Sequence, residues 1–128
     1  MYLFTKAQFG QLLTNGRNRD QDHLPVVKLF TPDANCTWLL SEVDPDDRDI
    51  AFGLCDLGQG FPEFGCVSLA ELRSVRGKLG LAIERDLSFT AEHPLSVYAK
   101  AASQADRITE DSQLLLQAAA ALFSRSRS

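Results

Sequence analysis

The stretch VVKLFTPDANCTWLLSEVDPDD, residues 26–47, decides the architecture of this chain. Residues 26–30 are β-branched, aliphatic or aromatic apart from Lys28, and Pro25 introduces them as a strand. Pro32 brings no ladder donor and Asp33 and Asn35 carry turn-closing side chains, so the strand stops there. A second strand then runs over 36–43, with Cys36, Trp38 and Leu40 on one face and Thr37, Leu39 and Ser41 on the other. The turn of 44–49 leads into a third strand over 50–57, where Ile50, Phe52 and Leu54 alternate with Ala51, Gly53 and Cys55. Gly58-Gln59-Gly60 breaks it, and 63–67 supplies a fourth. Links this short favour an antiparallel meander.

Helices flank this meander. Residues 5–15 read as one, with Thr5 as its cap, Phe9, Leu12 and Leu13 on one face, and Asn15-Gly16 as a left-handed stop. Ser68-Leu69-Ala70-Glu71 matches a capping box before a short helix that Gly77 and Gly80 end. Ile83 to Leu87 suits a loop and an edge strand, and Pro94 suits the first turn of a helix reaching about Ala102. Residues 109–123 form a last helix with an apolar stripe, and 124–128 a polar tail. The expected fold is α+β in one domain, 1–128. It has a single antiparallel twisted sheet of about four to five strands, with helices on one face and a C-terminal helix.

Composition narrows the function classes. A 128-residue chain that is 45% hydrophobic and 23% charged can build one sizeable core without metal or disulfides. The net charge of −4, with basic side chains spread along the chain, argues against a general nucleic-acid binder. Cys36, Cys55 and Cys66 are odd in number and widely spaced, which fits buried free thiols rather than a disulfide framework or zinc ribbon. The start lacks a basic region followed by an apolar run, and no apolar stretch is long enough to span a bilayer. A soluble, cytoplasmic protein is expected, with no membrane contact.

The middle of the chain resembles an uncharacterised, domain-of-unknown-function family of short bacterial proteins. The matching words include Val27-Lys28-Leu29-Phe30-Thr31-Pro32, Asn35-Cys36-Thr37-Trp38, Phe52-Gly53-Leu54 with Asp56, and Glu63-Phe64-Gly65. They continue with Val75-Arg76-Gly77, Leu79-Gly80-Leu81 and Ile83-Glu84-Arg85-Asp86-Leu87, covering about 11–98. The resemblance implies an accessory protein of plasmids, integrative conjugative elements or other mobile DNA. It brings no catalytic residues, and the helical extension over about 103–124 lies outside it.

Several residues invite a functional reading, each with a plainer one beside it. Trp38 could stack on a ligand while Asn35 and Thr37 supply hydrogen bonds, but alternation favours Trp38 in the core and Asn35 closing the turn. Asp44, Asp46, Asp47 and Asp49 resemble a hard-cation cluster, yet lack the glycine and distal Glu of a calcium loop and suit a solvated turn. Asp56, Glu63 and Glu84 would serve a divalent-ion-dependent hydrolase or nuclease if they converged, although Glu84-Arg85-Asp86 also suits an ion-pair cluster. His23 and His93 have no spaced partner, and Gly58-Gln59-Gly60 lacks the lysine of a phosphate loop. Arg73, Arg76 and Lys78 either meet nucleic-acid phosphates or complement a helix dipole. Leu115, Leu116, Ala119, Leu122 and Phe123 either pack on the sheet or make a homodimer seam.

The expectation is a non-enzymatic accessory or binding protein acting by contact with an unidentified protein partner. Its candidate binding residues are Asp33, Asn35, Trp38, Arg76, Glu84 and Arg85. A small carboxylate hydrolase or nuclease and a weak nucleic-acid binder are the alternatives. No catalytic residue, metal or cofactor is assigned.

Overall fold

The fold rests on the two-sided burial of its second strand. A computed structural model describes residues 3–123; the polar tail 124–128 lies outside the described residues. Along the chain come α1 (Lys6–Gly16), β1 (Val27–Phe30), β2 (Thr37–Val43), β3 (Ile50–Asp56) and β4 (Glu63–Ser68). There follow α2 (Leu69–Ser74), β5 (Glu84–Arg85), α3 (Leu95–Ala105) and α4 (Ser112–Phe123). The sheet is open and wholly antiparallel in the order β4-β3-β2-β1-β5, as expected of an α+β meander. Every residue of β2 after Thr37 is buried.

The helices differ from the expectation in one respect, for they occupy both faces of the sheet. Trp38, Leu40 and Ala51 face one core with Leu12 and Leu13 of α1 and Leu69 and Leu72 of α2. Leu39 and Leu54 face a second core with Leu95, Tyr98, Ala101 and Ala102 of α3 and Leu115 and Ala118 of α4. The physical reason lies in β2, whose Trp38-Leu39-Leu40 run is apolar on consecutive positions and so needs cover on both sides. Between Leu40 and Glu42 the register with β3 shifts, a bulge that leaves Ser41 opposite no residue of β3.

Local chemistry sets the helix ends. Thr5 accepts from the Gln8 N–H while Gln8 reaches back to the Thr5 N–H, so α1 opens on a full capping box. Its far end corrects the expected left-handed stop: Gly16 is still helical and Arg17 is right-handed. Glycine is needed there for proximity, because a β-carbon on Gly16 would lie 1.9 Å from the Val43 carbonyl oxygen. The preceding Asn15 is buried and donates to the Ser41 carbonyl at 2.9 Å, fastening α1 to β2. Asp22 accepts from the Ser96 N–H and hydroxyl at the start of α3, where Pro94 brings no side-chain cap. Asp111 accepts from the N–H groups of Gln113 and Leu114 and starts α4. Among the described residues no helix is long and apolar enough to cross a membrane.

The paired strands impose a steric test. A β-carbon on Gly53 would lie 2.0 Å from the Leu39 carbonyl oxygen, where backbone cannot yield. Gly10 on α1 has nothing within 4 Å of that position. Gly53→Ala is expected to lower the urea unfolding free energy by about 3 kcal/mol, from crowding in a packed sheet. Gly10→Ala is expected to raise it by about 0.5–1 kcal/mol, the helix-interior difference between the two residues.

Candidate functional site

The antiparallel order places four connections at one end of the sheet. The turn 31–36 joins β1 to β2, the tip 57–62 joins β3 to β4, the hairpin 76–82 leads into β5, and the loop 106–111 joins α3 to α4. Five of the expected binding residues gather toward this end, and the sixth does not. Trp38 is 4% exposed and belongs to the core of the α1 and α2 face, so it is a packing residue rather than a binding one.

Asp33 anchors this end. Its Oδ2 accepts from the N–H of Leu79 at 2.6 Å and of Leu81 at 3.5 Å, while its Oδ1 is buried against Gly77. The hairpin 76–82 is closed by the Arg76–Ala82 bridge and by Gly80 donating to the Gly77 carbonyl. Asp33 therefore holds a distant turn in place and is not the exposed contact residue expected. Asn35 is exposed, and its Cβ and carbonyl press close to Gly58, a residue with φ of 77°. Arg76 is exposed, with its guanidinium donating to the carbonyls of Arg73 and Val75. Glu84 and Arg85 are half-buried in β5 opposite Phe30 and Leu29, and so lie on opposite faces.

A cleft of about 610 Å³ opens between these turns on the α3 and α4 face. Register alone explains its floor: Phe30, Thr37 and Asp56 are consecutive cross-strand partners and point to the same side. Asp56 is buried, and its two oxygens accept from the N–H of Gly58 and of Ile108, each at 2.9 Å. That carboxylate latches both the β3–β4 tip and the loop 106–111. Lys28 closes the lower side between Asp86, at 3.5 Å, and Glu110. Asp56, Lys28 and Asp86 of the lining are thus already engaged by neighbouring groups.

The catalytic alternative does not find its geometry. Glu63 is the register partner of Cys55 and faces away from Asp56, while Asp56 and Glu84 are separated by two intervening strands. Among the described residues no three His, Cys, Asp or Glu side chains are grouped as ligands for a metal ion. The acidic turn works locally instead: Asp44 accepts from Asp46 N–H and Asp47 from Asp49 N–H. Asp49 accepts from the Ser68 hydroxyl and the Ala70 N–H, which hold its carboxyl below the usual range.

What the sequence reading missed is the rim. Leu57, Phe61, Leu79 and Leu81 all lie at this end and are all exposed, Phe61 by 81% and Leu79 by 79%. Phe61 lies between Gly60 and Pro62, and Leu79 between Lys78 and Gly80. A large apolar residue inside a Gly- or Pro-flanked turn has no periodicity to bury it, and that was the available signal. Of the stripe on α4, Leu115, Ala119 and Leu122 pack inward with α3, whereas Leu116 and Phe123 are exposed.

The thiols need one correction. Cys36 and Cys55 are half-buried, but Cys66 is exposed because β4 is an edge strand open on both faces. Burial, with smaller contributions from Cys66 and Glu63, pushes the Cys55 thiol up to about 11.

Three measurements follow from this chemistry. Asp33→Ala should speed amide exchange at Leu79 and Leu81 and cost about 1–2 kcal/mol, and Gly77→Ala should do the same by displacing the carboxylate; unchanged exchange would refute the anchor. With iodoacetamide at pH 8, Cys66 should alkylate well before Cys55, which should react only on unfolding or as the pH approaches 11. The contribution of Cys55 to stability should be full below its unfolded value near 9 and fall as the pH rises through 11.

Comparison with curated proteins and with solved structures gives no match. A family model does match, over residues 3–109, a span wider than the 11–98 of the resemblance and ending just before α4. Its description is "Protein of unknown function (DUF2958)". With most of its length inside that match, including all five strands and the cleft floor, the chain belongs to the DUF2958 family.

Proposed function

We propose that this chain is a non-enzymatic binding protein that works by contact with another protein through the turn-bearing end of its sheet. The observation that carries the reading is the exposure of Leu57, Phe61, Leu79 and Leu81 on turns whose backbones are held in place. Gly58 N–H is fixed by Asp56, and Leu79 and Leu81 N–H by Asp33. Apolar side chains this exposed stabilise the free chain less than buried ones do, whereas rigid apolar anchors lose little entropy when a partner covers them. The cleft between them, with exposed Asn35 and Arg107 in its lining, offers hydrogen-bonding groups to such an interface. An accessory role on a plasmid or integrative conjugative element completes the proposal and is drawn from the resemblance alone.

The nucleic-acid alternative has less support. Arg76 directs its guanidinium onto neighbouring carbonyls, which leaves Arg73 and Lys78 as the freer cations of that group.

The test is co-expression with the products of neighbouring genes, using a photoreactive side chain at Phe61 and, as control, at exposed Arg17 beyond α1. A specific adduct is expected from position 61 and none from position 17. A Leu57→Asp, Phe61→Asp double variant should unfold at the same urea concentration while losing at least about tenfold in partner affinity, the scale of removing an interface anchor. Equal adducts from both positions, or unchanged affinity in the double variant, would overturn the proposal.

A further inference from the structure

β4 is the outer strand of the sheet, and it is undefended. Among the described residues no strand pairs with its free side, and its six residues are half-buried or exposed on both faces. Edge strands are ordinarily blunted by lysine, proline or a bulge. β4 has no lysine or proline within it, and its register with β3 runs unbroken from Ser68 opposite Ile50 to Glu63 opposite Cys55. The opposite edge, β5, has only two residues.

The side chains along β4 describe what would fit. On the α3 and α4 face Phe64 stacks on Phe52 at 5.8 Å and remains about half exposed, a shelf for an apolar neighbour. On the other face Gly65 leaves space beside Cys55: a β-carbon there would meet only the Cys55 sulfur, at 3.7 Å. The surroundings are acidic. Glu63 at the start of β4, Asp46 and Asp47 in the turn beside its end, and Glu71 just beyond are exposed, against Arg19, Arg48 and Arg73. A second copy is a poor occupant, because antiparallel self-pairing would bring Glu63 of each copy toward the acidic end of the other.

We propose that β4 takes up, as a sixth strand, an extended segment of a partner polypeptide that alternates apolar and basic side chains. The ladder on the free edge supplies affinity, Phe64 receives the apolar positions, and the carboxylates receive the basic ones. This deepens the reading of the chain as a protein-binding protein and rests on it, through the strand edge that adjoins the turn tested at Phe61.

The probe is a synthetic octapeptide alternating valine and lysine, added to the full chain. Binding should slow amide exchange within 63–68, and a valine–glutamate version should bind at least about tenfold more weakly. Two further peptides place N-methyl groups on alternate residues, one set on each edge. Only one edge of an added strand faces β4, so one methylated peptide should fail and the other should bind within about threefold of the parent. Equal loss or equal retention for the two, protection away from β4, equal binding of the acidic version, or self-association through β4 would overturn the inference. None of these results depends on the adduct at Phe61, so the two readings fail separately.

Discussion

Every layer of this protein is seated on β2, whose Trp38 and Leu40 enter one core while Leu39 enters the other. A strand with no wet face cannot slip by one residue without exchanging its two sets of side chains between unlike cores, so its register is strongly determined. α1 is locked to it by the Asn15 bond to Ser41 and by the close approach of Gly16 to Val43. β3 is locked to it where Gly53 meets the Leu39 backbone.

A second theme is the use of aspartates as clamps. Asp33, Asp49 and Asp56 each stand near the end of a strand and accept backbone N–H groups from segments well separated in sequence. Each replaces a solvated carboxylate with an oriented acceptor, and together they give loops of little intrinsic structure a fixed position. Side chains that look like chemistry in the sequence also serve as architecture in the fold.

Much of the fold was legible because strand periodicity is a local signal. The alternation at Cys36, Trp38 and Leu40 against Thr37, Leu39 and Ser41, and the matching one from Ile50 to Cys55, assigned faces that the two cores keep. What was misjudged was the number of covered faces, since Leu39 between Thr37 and Ser41 reads as one apolar residue on a polar side until Leu54 and α3 are placed beside it. The candidate site was legible as a region and illegible in its roles. Asp33 could be assigned to a turn, but nothing local shows that its carboxylate reaches Leu79, forty-six positions on. The exposed rim was missed because hydrophobic residues are read as core by default, and only tertiary context shows which turns lie outside.

The last helix adds a consequence of its own. α4 begins after the residues matched to the family, yet Leu115 and Ala118 are part of the same core as Tyr98, Ala101 and Ala102 of α3. Ala101 and Ala102 make a shallow seat on α3, and α4, from outside the matched residues, lies in it. The core on that face of the sheet is therefore closed from beyond the matched span, by residues of the chain's own last helix.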